Sequence, residues 1–138
     1  MEEEFKADLI IDGTGAILGR LASFASKQAL LGKDIAIVNC NSVLVSGIKA
    51  NIVKEYNIAR RRGGSSLNGP HFPKEPYKLV KRTIKGMLSF RQGRGLTAFK
   101  RILCYNQVPE QYKDSKKLSL ARELKAKTIT LKELEAKI

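Results

Sequence analysis

Residues 9–23 read LIIDGTGAILGRLAS. An apolar run, Leu9 to Ile11, gives way to a turn punctuated by Gly13 and Gly15. Leu18, Leu21, Ala22, Ala25 and Ala29 then recur at helical spacing, and Gly32 stands where a left-handed cap would end the helix. The reading is a buried strand over residues 7–12, a tight turn and a helix. Such a junction is also where nucleotide-binding proteins hold a pyrophosphate, so the glycine spacing decides between two meanings. A dinucleotide fingerprint requires G-x-G-x-x-G, whereas Gly13, Gly15 and Gly19 are spaced G-x-G-x-x-x-G. Asn39 stands where the ribose-binding acid belongs, and "GRL" replaces the Gly-Lys-Ser/Thr of a P-loop. The glycines are therefore expected to serve a tight turn and close helix-to-sheet packing, with Thr14 capping the first turn. A nucleotide-binding enzyme built on Gly13, Gly15 and Gly19 stays as the minor alternative. Arg20 projects from the turn, toward a phosphate or into a structural salt bridge.

Outward from this unit, DIAIVN (residues 34–39) reads as a second strand and NSVLVSG (residues 41–47) as a third. Ser46 is expected to cap a helix with Ile48, Ile52, Tyr56 and Ala59 on its apolar face, stopped by Gly63 and Gly64 just after Arg60, Arg61 and Arg62. RILCYN (residues 101–106) reads as a fourth strand, and Thr130 to Glu133, TLKE, as a capping box opening a short C-terminal helix. Strand, helix, strand, strand, helix points to α/β architecture. A length of 138 residues suits one domain spanning 1–138, with a polar helical tail over about 113–138.

Charge is unevenly spread along this chain of net +13. Residues 1–48 hold 4 basic and 6 acidic groups, whereas the block from Lys49 to Arg101 holds 14 basic and 2 acidic. A block of that kind makes an electrostatic surface for a polyanion, and nucleic acid is the natural counter-charge. No apolar run approaches the roughly 18 residues of a membrane span. The start, MEEEFKADLI, lacks the basic end and apolar core of a secretory signal, so a cytoplasmic protein is expected.

Within the block, Pro76 opens a helix that sorts its residues by face. Leu79, Val80, Thr83, Ile84, Met87 and Leu88 fall on one side, and Lys78, Lys81, Arg82 and Lys85 on the other. A merely solvated face interleaves Glu with Lys, but no acid occurs between Pro76 and Lys100. In FRQGRGLTAFKR (residues 90–101) Arg91 and Arg94 sit among glycines in what reads as a loop open to close approach by phosphate, and Arg suits that work through its planar fork. The triplet Arg60, Arg61, Arg62 exceeds what a helix dipole requires. Phe72, Tyr77 and Phe90 interleave with cations, as core residues or as stacking partners for bases. The one histidine, His71, lies in a proline-bounded loop as a surface or RNA-facing residue. Cys40 and Cys104 have no metal-ligand spacing and read as two reduced core thiols.

Four stretches taken together, DGTGAILGRLAS, GKDIAIVNCNSVLVSG, KRTIKGML after "GP" and "P", and RGLTAFKRILCYNQVPE, resemble in order and spacing the universal large-subunit ribosomal protein thirteen family over roughly residues 8–112. NGPHFPKEP (residues 68–76) is similar to its archaeal and eukaryotic branch, and the length leans toward an archaeon. The resemblance implies a three-layer α/β/α domain around a four-stranded parallel sheet with a basic RNA-binding extension. It also implies structural work in the large ribosomal subunit, without catalysis, cofactor, metal, membrane or small-molecule substrate. Large-subunit ribosomal RNA and neighbouring ribosomal proteins would be the partners. It carries Lys81, Arg82 and Lys85, then Arg91 and Arg94, then Lys100 and Arg101, over as RNA-facing positions. A free-standing RNA-binding regulator would use the same surface and stays open as an alternative.

Overall fold

The computed structural model describes residues 7–61, 73–121 and 126–138. Strand β1 (Leu9–Asp12) leads to helix α1 (Leu18–Leu30), β2 (Ile35–Val38), a 3₁₀ turn (Cys40–Ser42) and β3 (Leu44–Ser46). Helices α2 (Lys49–Arg61), α3 (Pro76–Met87) and α4 (Gly93–Lys100) follow, then β4 (Ile102–Cys104) and a second 3₁₀ turn (Glu110–Tyr112). The chain closes with β5 (Leu118–Ser119), β6 (Thr128–Thr130) and α5 (Leu131–Lys137). The fold is α/β, as expected, around a four-stranded parallel sheet in the order β4-β2-β1-β5.

Strand β2 is central and wholly buried, and its side chains divide the core. Ile35 and Ile37, with Ile11 of β1, join Leu21, Ala22 and Ala25 of α1, Val80 and Ile84 of α3 and Ala98 of α4 in the main core. Ala36 and Val38, with Ile10, face the other way and are sealed by Tyr112 from the 3₁₀ turn. Helices α1, α3 and α4 thus form one outer layer, and the Tyr105–Tyr112 segment forms a thin one opposite. The alanine stripe of α1 lets the helix lie close to the sheet, and fully buried Leu21 contributes about 1.5–3 kcal/mol of apolar transfer energy. Gly32 ends α1 at φ +98°, its N–H donating to the Ala29 carbonyl at 3.0 Å, which is the left-handed stop the spacing suggested.

The opening turn works in part as read. Gly15 has φ +72°, and a Cβ on Gly13 would come within 2.7 Å of the Val43 side chain and 3.0 Å of the Val38 carbonyl. Gly19 faces open space, so it serves no packing role. Helix α1 begins with Ile17 at its N-cap and no side-chain cap, because the Thr14 N–H is instead held by the Asp12 carboxylate at 3.0 Å. Asn39 donates to the same Asp12 oxygen at 3.0 Å. Burial works against the charged form, yet the bonds from Asn39 and Thr14 hold the Asp12 carboxyl below its ordinary value.

Other expectations need correction. The third strand, β3, does not enter the parallel sheet: it pairs antiparallel with β6, through Val45 opposite Ile129. The fourth parallel strand is β5, two residues in the stretch read as a polar tail, with Ile11 opposite Leu118. Ser46 is the last residue of β3, and α2 starts three residues later. Ile48 and Met87, both assigned to apolar faces, are 54% and 46% exposed because each lies at a helix end beyond the reach of the core. Residues 93–100, read as a glycine loop, are helical. Gly95 there is pressed against the chain's own backbone, where a Cβ would meet the Ser89 carbonyl oxygen at 2.1 Å. The expected capping box forms, with Thr130 Oγ1 accepting from the Glu133 N–H at 3.2 Å. Cys40 and Cys104 are free thiols, as read; Cys40 is held up from its ordinary value by bonding to the Cys104 thiol and by burial.

Candidate nucleic-acid interface

Helix α3 forms the centre of the cationic surface. Leu79, Val80 and Ile84 dock it on the main core, which turns its other side outward. Lys78, Lys81, Arg82 and Lys85 line a basin of about 270 Å³ together with Pro73 and Phe99. The helix therefore gathers all four residues that the periodicity placed on one face. They do not stand alike. Lys78, Arg82 and Lys85 are exposed, whereas Lys81 is half-buried. Its ammonium donates to the Ile102 carbonyl at 2.5 Å and lies 4.9 Å from the centre of the Phe99 ring. Burial pulls the Lys81 ammonium below its ordinary value. Lys81 thus joins α3 to the start of β4 from beneath the basin.

Around α3 the other cations fall into three groups. Lys85 and Arg91 both approach the half-buried Phe90 ring, at 4.6 and 5.9 Å from its centre, which extends the basin toward α4. Arg94 and Lys100 are exposed on α4, and neither has a carboxylate partner among the described residues. Arg101, next in sequence, turns the opposite way: its guanidinium donates to the Ala29 carbonyl at 2.9 Å and ties β4 to the end of α1. At α2, Lys49 pairs with Glu133 at 3.0 Å and Arg60 donates to the Ile138 carbonyl at 3.0 Å, so both ends of that helix are fastened to α5. The Lys49 bond holds the Glu133 carboxyl below its ordinary value. Arg61 is exposed at the end of α2. Arg62 and His71 lie outside the described residues.

Arg20 is exposed on α1, remote in sequence from the basic block, and makes no salt bridge among the described residues. It lines a groove of about 700 Å³ with Ser23, Phe24, Lys27 and Ser119. Lys27 falls outside the basic block, and its seven-residue separation from Arg20 places the two on one helix face. Two ion pairs reach into the block, Lys49–Glu133 and the exposed Lys78–Glu75 pair at 3.8 Å. Arg94 and Lys100, exposed and without a carboxylate beside them among the described residues, are open to a partner.

The sequence matches the family described as ribosomal protein L13 over residues 6–111. The chain belongs to that family. It is 44% identical over 113 residues to the large ribosomal subunit protein uL13 of Methanosarcina barkeri, covering 81% of this chain and 80% of that protein. It is 39% identical over 128 residues to the uL13 of Methanocaldococcus jannaschii, covering 91% and 93%. Against the uL13 of Haloarcula marismortui it is 37% identical over 133 residues, covering 95% and 90%. These relatives are archaeal, in keeping with the branch that NGPHFPKEP resembles. Membership of the ribosomal protein L13 family places the α3 basin and α4 within the matched stretch, while β5, β6 and α5 lie beyond it. No helix among the described residues is long and apolar enough to cross a membrane.

Proposed function

We propose that this chain is a structural constituent of the large ribosomal subunit in the cytoplasm, binding large-subunit ribosomal RNA and neighbouring ribosomal proteins. Its work is to hold RNA rather than to catalyse. The observation that carries this is the α3 basin, where cations of one helix stand on a rigid core. Arg91 in the turn before α4, and Arg94 and Lys100 on it, extend the same charge. The Cα positions of Lys78, Arg82, Lys85, Arg94 and Lys100 are fixed on helices packed against the core, so the backbone spacing of positive charge is set before RNA arrives and the ordering that remains on binding is that of the side chains.

RNA phosphates are the natural occupants of this surface. A duplex RNA hides its major groove and offers backbone and 2′-hydroxyls, which cations on a fixed frame can meet by shape. Of the candidate residues, Lys78, Arg82, Lys85, Arg91, Arg94 and Lys100 are the direct contacts in this reading, joined by Arg20 and Arg61 at the margins. Lys49, Arg60, Lys81 and Arg101 act mainly by fastening the frame.

The test is made on purified large subunits. Protein–RNA crosslinking should yield peptides from residues 74–85 and 90–100 joined to ribosomal RNA, and the chain should sediment with the subunit after a high-salt wash. A chain that sediments free of ribosomal particles, or crosslinks only outside those peptides, would overturn the proposal.

A further inference from the structure

The basin on α3 has a neighbour of different chemistry. Where β4 leaves the sheet, Tyr105, Asn106, Gln107 and Pro109 close against Tyr77 in the first turn of α3 and leave a cavity of about 430 Å³. Its wall has no lysine, arginine or carboxylate, whereas the basin is lined by four cations. Two phenol rings and two carboxamides suit an uncharged flat ring with a hydrogen-bonding edge; they do not suit an anion. The position also fits a ligand, because the carboxyl ends of parallel strands are where open α/β sheets receive one.

The wall is fixed in advance. Asn106 Oδ1 accepts from the Tyr77 N–H at 2.9 Å, and its backbone carbonyl accepts from the Asn41 N–H at 3.3 Å. That leaves the Asn106 amide nitrogen with no acceptor among the described residues. Tyr105 is braced by Tyr112, ring centres 6.1 Å apart and edge to face. Burial and the neighbouring Tyr112 raise the Tyr105 phenol from its ordinary value, so it keeps its proton and its capacity to donate. Cavity and basin are joined through one residue: the Lys78 ammonium, part of the basin wall, lies 5.9 Å from the centre of the Tyr77 ring.

We propose that this cavity receives a single unpaired nucleobase extruded from the bound RNA, stacked on Tyr77 and held at its edge by Asn106 and Gln107, with the flanking phosphates on Lys78 and the α3 basin. The inference rests on the RNA-binding reading above and deepens it. Paired bases in an A-form helix are stacked out of reach, so the nucleotide comes from a bulge, loop or strand end. Base stacking on an aromatic side chain tolerates any base, so recognition is of an unpaired position more than of a sequence.

Two synthetic RNA hairpins test it, one with a single bulged adenosine and one with an abasic residue at the same bulge, titrated against the full chain at fixed salt. The wild-type chain should prefer the base-bearing hairpin by roughly five- to 150-fold. Tyr77→Ala should bring that ratio close to one, whatever change in affinity the two hairpins share. Because the Tyr77 ring also packs against the main core, Gln107→Ala, at an exposed position, gives a second reading and should lower the ratio in part. Lys78→Ala should weaken both hairpins, since it meets phosphate. The chain has no tryptophan and four tyrosines, so tyrosine emission should be quenched more by the base-bearing hairpin than by the abasic one at equal RNA absorbance. Equal affinity of the wild-type chain for the two hairpins overturns the base site and leaves RNA binding intact. Failure to bind either hairpin at low salt overturns both.

Discussion

Gly95→Ala sets two effects against each other, and the structure decides which wins. In a helix, alanine is favoured over glycine by about 1 kcal/mol, so propensity alone predicts a gain. The new methyl group, however, would lie 2.1 Å from the Ser89 carbonyl oxygen, 2.3 Å from its carbon and 2.9 Å from its Cα. All three atoms are backbone, so no side chain can rotate away, and relief requires α4 and the Ser89 turn to separate by about an ångström. Overpacking of this kind costs about 1–3 kcal/mol and more where backbone must shift. We set the cost near the upper end, giving a net loss of about 2 kcal/mol. For a domain of this size that corresponds to a fall of roughly 6–8 °C in Tm. Gly93→Ala in the same helix is the control, since its Cβ meets nothing within 4 Å. It should be neutral or stabilising by about 0.5 kcal/mol. Thermal unfolding followed by circular dichroism measures both. Equal melting temperatures for the two variants would refute the packing assignment at Gly95.

Further outcomes follow from the charges. Arg94→Glu should weaken binding to large-subunit RNA and lower the salt dependence of the affinity by about one phosphate contact, with an unchanged melting temperature; unaltered binding would remove Arg94 from the interface. Lys81→Met keeps the aliphatic stem but loses the bond to the Ile102 carbonyl, so it should cost about 1 kcal/mol in urea unfolding, while Lys100→Met costs close to nothing. Similar values for the two would contradict the frame-fastening role. The folded Asp12 carboxyl lies below its ordinary value, so its contribution is complete above about pH 4 and lost as pH falls through the folded value. The stability gap between the wild-type chain and Asp12→Ala should therefore shrink from pH 6 to pH 2, and a constant gap would contradict it.

What could be read from sequence is what periodicity encodes. The β-branched run of β2, the alanine stripe of α1 and the two-sided α3 announce themselves because burial imposes their spacing. Strand β5 does not: Leu118 and Ser119 are exposed and make a two-residue ladder, which leaves no pattern to detect. Helix α4 was hidden by Gly93 and Gly95, whose composition signals a turn until the Ser89 backbone is in place. Strand β3 was recognisable as a strand, but its partner β6 lies over eighty residues away, a pairing that local spacing does not carry. For the interface, the helical wheel places each Cβ but not the end of a long side chain. Lys81 and Arg82 are neighbours on one face, yet the Lys81 stem curls inward to a carbonyl while Arg82 stays exposed. Arg101 differs from Lys100 in the same way.

Helix α2 buries the single side chain Ile52 along 13 residues, with Val53 and Tyr56 half-buried beside it, and surface bonds from Lys49 to Glu133 and from Arg60 to Ile138 tie its two ends to the C-terminal segment. An element so anchored has an opening free energy far below that of the sheet. Its amide protons should exchange with deuterium well ahead of those in β2 and α1. The molecule is therefore graded in rigidity, firm at the sheet and α1 and loosest at α2, and a surface that engages α2 sets its geometry last.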